Sequence, residues 1–236
     1  MSGSKELRFS VEELRSALSG GLIVSCQAAE DESLFGSEIM AKMAVAAVQG
    51  GAVAIRANSP ADIAAIRRVV SVPIIGLWKR DLPGYEVRIT PRLDDALALA
   101  DAGADIIALD ATARPHPEGS ATDLIASVAA RTRVPILADV AAASEAAAAV
   151  EAGAAFAAST LSGYLGGTVP SEPDIDLVAA ISAQVGRERT IAEGRYRTGA
   201  QVAAALRAGA LAVCVGGAIT RPADITRRVI DDLRAS

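Results

Sequence analysis

The chain has 236 residues, 51% of them hydrophobic, with a mean hydropathy of +0.34, enough for a large core and far from a disordered composition. A net charge of −5 and a pI near 5.0 argue against a nucleic-acid surface, and 3% aromatics leave little for base stacking. No apolar run reaches the ~20 residues that span a bilayer, and the polar start Met1–Phe9 lacks a signal-peptide core, so a soluble, cytoplasmic protein is expected, with neither membrane nor nucleic acid as partner.

In chain order, the first predicted element is a helix over about Val11–Leu18, begun by Ser10 with Glu13 at the capping-box position. It precedes the apolar run Leu22–Cys26, and the N-terminal segment 1–20 is expected to close the bottom of the structure that the strands build. Further strand-like runs are Gly51–Arg56, Ile74–Trp78, Gly103–Asp110, Ile136–Asp139, Gly153–Ser159, Thr190–Glu193 and Gly209–Gly216. Those starting at 51, 103, 153 and 209 share a Gly-Ala step after an Ala-rich helix, with Gly where a helix ends and turns into a strand. Their spacing of roughly fifty residues is what two βα units occupy. Two of the intervening runs begin Val-Pro (Val72-Pro73 and Val134-Pro135), a step that favours extended backbone. Strands alternating with helices mean a parallel sheet. Eight such units, with no linker among them, predict closure as one (β/α)8 TIM barrel domain over 1–236.

Barrel chemistry sits at the C-terminal strand ends. In order, those ends carry Gln27, Arg56, Lys79, Asp110, Asp139, Ser159 with Thr160, Glu193 with Arg195, and Gly216 with Gly217. The run Ile74–Trp78 reads as a strand buried on both faces that stops abruptly at Lys79-Arg80-Asp81. The chain has three lysines, Lys5, Lys42 and Lys79, against a large excess of arginine, so a lysine here hints at a group that must lose its proton. Lys79 on the third strand and Glu193 on the seventh face each other across a barrel mouth. Two acid/base groups so placed suit proton removal from one face of a carbon next to a carbonyl and return to the other. Arg80 and Arg56 are expected to lower the Lys79 pKa. The purely structural alternative for Glu193 is an ion pair with Arg195 or Arg197.

The segments Ile191–Tyr196 and Val215–Pro222 carry a phosphate signature. Gly194, Gly216, Gly217 and Ala218 let backbone N–H groups approach an anion, and Thr198-Gly199 starts the next helix. Barrel phosphate sites are commonly built from the loops after strands seven and eight. The single histidine, His116 in Arg114-Pro-His-Pro117, reads as a surface loop residue and leaves a histidine metal site or a serine triad poorly supported. Asp110, Asp139 and Glu193, spread over three strands, are weak evidence for a chelated divalent ion, so no metal and no cofactor is expected. Cys26 and Cys214 lack metal or redox spacing and read as buried free thiols. Tyr164 reads as part of a loop over the site, or as packing.

Seven motifs in order are Gly21–Gln27, Gly76–Asp81, Val87–Pro91, Ala108–Thr112, Thr160–Tyr164, Ile191–Tyr196 and Ala218–Pro222. Together they resemble the N-acylglucosamine-6-phosphate 2-epimerase family, also called N-acetylmannosamine-6-phosphate epimerases, from about Gly20 to Arg228. The resemblance implies a metal-free, nucleotide-independent barrel of bacterial sialic-acid and aminosugar catabolism. Such a barrel interconverts N-acetylmannosamine 6-phosphate and N-acetylglucosamine 6-phosphate. It implies Lys79 and Glu193 as catalytic groups, Gln27, Arg56, Asp139 and Arg195 at the sugar, and the glycines after strand eight as the phosphate loop. It also implies a homodimer, for which the apolar final helix, Ala223–Leu233, is a candidate contact.

On that reading the open-chain aldehyde acidifies C2–H. Lys79 takes the proton from the mannosamine epimer, Glu193 supplies one on the other face, and Lys79 or Arg195 stabilises the enolate. Two other readings stay open: a sensor that binds the sugar phosphate without turning it over, and a pentose-phosphate type of epimerase, against which a single histidine counts. The chain departs from the family after Asp139, with Val140-Ala141-Ala142 for Ile-Ser-Thr, and after strand six, with Ala158-Ser159-Thr160 for Gly-Thr-Thr. The lost hydroxyls are expected to weaken the hydrogen bonding behind the site or to shift the N-acyl preference.

Overall fold

A computed structural model describes residues 7–166 and 169–235. Helix α1 (Val11–Leu18) leads into β1 (Leu22–Cys26), α2 (Ser37–Gln49), β2 (Ala54–Asn58), α3 (Pro60–Arg67) and β3 (Ile74–Leu77). There follow α4 (Leu93–Ala102), β4 (Ile106–Asp110), α5 (Ala121–Arg131), β5 (Ile136–Asp139), α6 (Ala143–Glu151) and β6 (Phe156–Ala158). The chain continues through α7 (Ile175–Val185), β7 (Thr190–Glu193), α8 (Gly199–Arg207), β8 (Ala212–Val215), a single turn α9 (Gly217–Thr220) and α10 (Pro222–Ala235). The eight strands pair in parallel and in sequence order, and β8 returns to β1, closing the barrel.

The repeated Gly-Ala step is a helix terminus. Gly51, Gly103, Gly153 and Gly209 take φ of 99°, 102°, 117° and 108°, values that favour a residue without Cβ. The alanine after each donates its N–H five residues back, as Ala52 does to Ala47 and Ala104 to Leu99, the longer bond of a Schellman end. The Gly-Ala residues are therefore turn, and each of these strands begins three residues after its glycine.

Strand alternation divides the core in two. Ile23, Ala54, Ile75, Leu77, Ile106, Ala108, Leu137, Phe156, Ile191 and Ala212 fill the barrel interior. The opposite strand faces pack on the helices through residues such as Val24, Ile55, Ile107 and Ile136. Leu14 and Leu18 of α1, both 0% exposed, belong to the interior cluster, so α1 stoppers the barrel bottom. Ser10 and Glu13 form the expected capping box. The N-terminal segment expected over 1–20 is helical over Val11–Leu18, and residues 1–6, including Lys5, lie outside the described ones. Burying each leucine stabilises the plug by about 1.5–3 kcal/mol.

Two local expectations are corrected. Strand β3 ends at Leu77, and Trp78 turns outward with the Arg80 guanidinium 4.5 Å over its ring. His116 is 5% exposed rather than on the surface. Its Nε2 lies 3.2 Å from the Thr112 carbonyl and 4.0 Å from Asp110 Oδ1, so the loop folds back toward the end of β4.

Candidate active site

The C-terminal strand ends surround a cavity of about 870 Å³ whose wall includes Gln27, Lys79, Asp110, Glu193 and Cys214. Lys79 continues the inward series Ile75, Leu77, 79, although the strand has ended. The loop after β3 doubles back, and Lys79 bridges antiparallel to Ile89. Asn58 Oδ1 accepts the Lys79 N–H at 2.8 Å, and Arg88 O accepts that of Arg80 at 2.9 Å. Thr90 anchors the returning segment. Its Oγ1 donates to Ala108 O at 2.6 Å and accepts from Trp78 N at 3.1 Å, and its N–H reaches Trp78 O at 2.8 Å. Thr90 is fully buried at φ 47°, an unfavourable value for a β-branched residue. Such strain persists only where the surroundings enforce it.

Glu193 ends β7 opposite Lys79. Its partner is Arg56, on the inner face of β2, rather than Arg195 or Arg197. The Arg56 guanidinium donates Nη1 to Glu193 Oε2 and holds Asp139 through both nitrogens, at 3.0 and 2.6 Å. Thr160 Oγ1 donates to Asp139 Oδ1 at 2.5 Å. Ser159 brackets the Glu193 backbone, donating to its carbonyl at 2.9 Å and accepting from its N–H at 3.1 Å. Both hydroxyls after β6 are thus present and bonded, which corrects the expected loss there. Only Ala141 and Ala142 lack one. Their N–H groups are taken by Glu145 Oε2 at 2.8 and 3.0 Å, so what is missing is a side-chain cap on α6.

The two titratable groups are displaced toward each other. Burial, reinforced by the charges of Arg56 and Arg221, lowers the Lys79 pKa from its ordinary value, and Glu193 partly opposes this. Lys79 is nonetheless exposed toward the open cavity, so its desolvation is partial. Burial raises the Glu193 pKa, with the like charge of Asp139 adding to it and Arg56 working against it. Arg80, expected beside Lys79, instead pairs with Asp95 at 2.8 Å on the outside.

Of the other expected site residues, Gln27 lines the cavity, tethered by Nε2 to Ser25 Oγ at 2.8 Å, with Oε1 lacking a partner among the described residues. Gly194, Gly216, Gly217 and Ala218 line it as well. Arg195 lines it at φ 64°, but its guanidinium is spent on the β6–α7 loop, donating to Ser162 O at 2.6 Å and Glu172 O at 2.7 Å beside the Tyr164 ring. Arg56 and Asp139, 1% and 0% exposed, stand behind Glu193 and do not face the cavity. Arg221 was missed. It follows the glycines after β8, lines the cavity and acts on Lys79. Among the described residues no cluster of three or more His, Cys, Asp or Glu is placed to hold a metal ion.

Residues 40–235 match the family described as "NanE: Putative N-acetylmannosamine-6-phosphate epimerase". The chain belongs to this family. It is 50% identical over 202 residues, 86% of this chain and 85% of the relative, to the "Putative N-acetylmannosamine-6-phosphate 2-epimerase" of Klebsiella pneumoniae subsp. pneumoniae. A protein of the same name from Yersinia pestis is 49% identical over 211 residues, 89% of each chain. The structure of the N-acetylmannosamine-6-phosphate 2-epimerase from Clostridium perfringens superposes with a TM-score of 0.89 at 38% identity, covering 98% of this chain and 99% of that one. Barrels such as mandelate oxidase, at a TM-score of 0.62 and 22% identity, share the fold alone. In this NanE-family chain the Lys79 and Glu193 motifs arrive from β3 and β7, opposite strands of the closed barrel, at one shared cavity.

Proposed function

We propose that this barrel is an isomerase of amino-sugar metabolism that epimerises C2 of N-acetylmannosamine 6-phosphate to give N-acetylglucosamine 6-phosphate. The observation that carries this is Lys79 and Glu193 on opposite walls of one cavity, their proton affinities drawn together. In the open-chain sugar the C1 carbonyl acidifies C2–H. Neutral Lys79 removes that proton from the manno epimer, leaving an enolate, and protonated Glu193 delivers a proton to the opposite face of C2. After one turnover Lys79 is ammonium and Glu193 carboxylate, the pair that runs the reverse direction. Neither step calls for a metal or nucleotide.

Gln27 receives a sugar hydroxyl at its uncommitted Oε1. Arg56 and Asp139 serve by fixing Glu193, and Arg195 by fixing the loop that carries Tyr164. Gly194, Gly216, Gly217 and Ala218 hold the phosphate, with Arg221 supplying positive charge. Thr220 Oγ1, donating to Ser25 O at 2.9 Å, fastens that loop to β1. Helix α10 mediates a homodimer, and a phosphorylated substrate, retained inside the cell, makes the protein cytoplasmic.

The test is incubation with N-acetylmannosamine 6-phosphate in D2O and EDTA, with C2–H followed by proton NMR. The gluco epimer is expected, with deuterium at C2. Binding without exchange would replace this reading with that of a sensor.

A further inference from the structure

Level with Glu193 on the neighbouring strand is Cys214. The two are Cα partners in the β7–β8 register, so their side chains leave adjacent strands side by side on the inner face. Both line the cavity. Cys214 is 2% exposed and otherwise belongs to the apolar interior, and the register sets its thiol beside the Glu193 side chain. Arg56, from β2, occupies Oε2 of that carboxylate. An aliphatic side chain would fill this position as Ile191 and Ala212 fill theirs lower in the barrel. What sulfur adds over a methyl group is a donor.

We propose that Cys214 is a positioning residue for the epimerisation, its S–H fixing the orientation of the Glu193 carboxylate toward the reacting carbon. This rests on Glu193 being the acid/base group of the proposed function. A thiol is a weak donor, strengthened here because its acceptor ionises. A hydrogen bond to the ionised form favours that form, so Cys214 opposes the burial and the Asp139 charge that raise Glu193's proton affinity. Burial, with the Glu193 charge beside it, pushes the Cys214 pKa far up, so sulfur keeps its proton and acts as neither base nor nucleophile.

The test compares Cys214→Val, which removes the donor at the cost of one added methyl group, with Cys214→Ser, which keeps a donor. In Cys214→Val the acid limb of the kcat–pH profile is expected to move up by about half a unit to one unit, with KM within about twofold of the parent, and Cys214→Ser returns the limb toward its original place. A second readout is the infrared S–H stretch without substrate, in a Cys26→Ala background that leaves one thiol. That band is expected below the frequency of a free thiol and to rise in Glu193→Ala. An acid limb unmoved in Cys214→Val, or a band indifferent to Glu193→Ala, overturns the proposal. Full turnover by Glu193→Gln overturns the role of Glu193 itself, a failure told apart because the band, read without substrate, still reports the contact.

Discussion

Arg56 reaches Glu193 from a site where 1% of its own side chain meets solvent, with its remaining charge spent on Asp139. The arrangement is one buried cation shared by two carboxylates, only one of which faces the cavity. Breaking such a buried pair from one side leaves an uncompensated charge. Arg56→Met is therefore expected to destabilise the barrel by about 3–5 kcal/mol, read as a lowered urea midpoint. Adding Asp139→Asn recovers part of that stability by removing the stranded charge, and activity stays lost because Glu193 is no longer held. Equal stability in the single and double variants would contradict this coupling.

The displaced pKa values set the pH dependence. Glu193 lies above its ordinary value, chiefly by burial, and Lys79 below its own, also chiefly by burial. On the proposed roles, the manno-to-gluco direction uses protonated Glu193 and neutral Lys79, a minority state whenever the lysine is the more basic. Drawing the two values together enlarges that minority. The kcat profile is expected to be a bell whose acid limb lies above 4.5 and whose alkaline limb lies below 10.5, the unperturbed values of the two groups. Lys79→Met and Glu193→Gln should each lose at least about a hundredfold in kcat. Lys79→Arg should fail equally, since a guanidinium does not release its proton.

Thr90 gives a prediction about the loop that carries Lys79. Thr90→Val keeps the shape and removes the hydroxyl that joins Trp78 N to Ala108 O. The loss should cost about 1–3 kcal/mol, because the Trp78 N–H loses its acceptor inside the fold. The kinetic consequence falls on kcat more than KM, since Lys79 loses its support while the glycine loop after β8, the proposed phosphate site, is untouched. Thr90→Ser keeps the hydroxyl and should retain most of both. Denaturant melts paired with steady-state kinetics check it.

The barrel was legible because its signals are local. The Gly-Ala helix ends, the Val-Pro steps and the short apolar runs each act within a few residues, and the strand ends fell within two residues of where those patterns placed them. What escaped depends on direction or distance. Arg80 adjoins Lys79 in sequence, yet alternation sends it outward with Trp78, and the cations that do act on Lys79 are Arg56 from β2, Arg221 just before α10 and, least, Arg88. Arg195 adjoins Glu193, yet its left-handed backbone aims it at the β6–α7 loop, leaving Glu193 to Arg56. His116 was misread because a proline-flanked polar loop has the composition of a surface even where it folds inward.

Helix α10 supports the last prediction. None of its residues is buried, and Val229, Ile230 and Leu233 are 63%, 41% and 75% exposed on a helix whose remaining positions are mostly charged. An apolar stripe of this kind along a terminal helix is characteristic of an interface. The opposite side of the same helix carries Asp224, Arg227, Arg228, Asp231 and Asp232, which line the outer cavity. A contact on the apolar stripe would therefore steady the charged wall of the mouth. Val229→Glu combined with Leu233→Glu is expected to convert a dimer into a monomer in sedimentation velocity, with the far-UV spectrum of the barrel preserved. KM should rise while kcat changes less, because the substitutions loosen the rim and leave Lys79 and Glu193 in place. A parent protein that sediments as a monomer, or a double variant that remains dimeric, would remove α10 from that role.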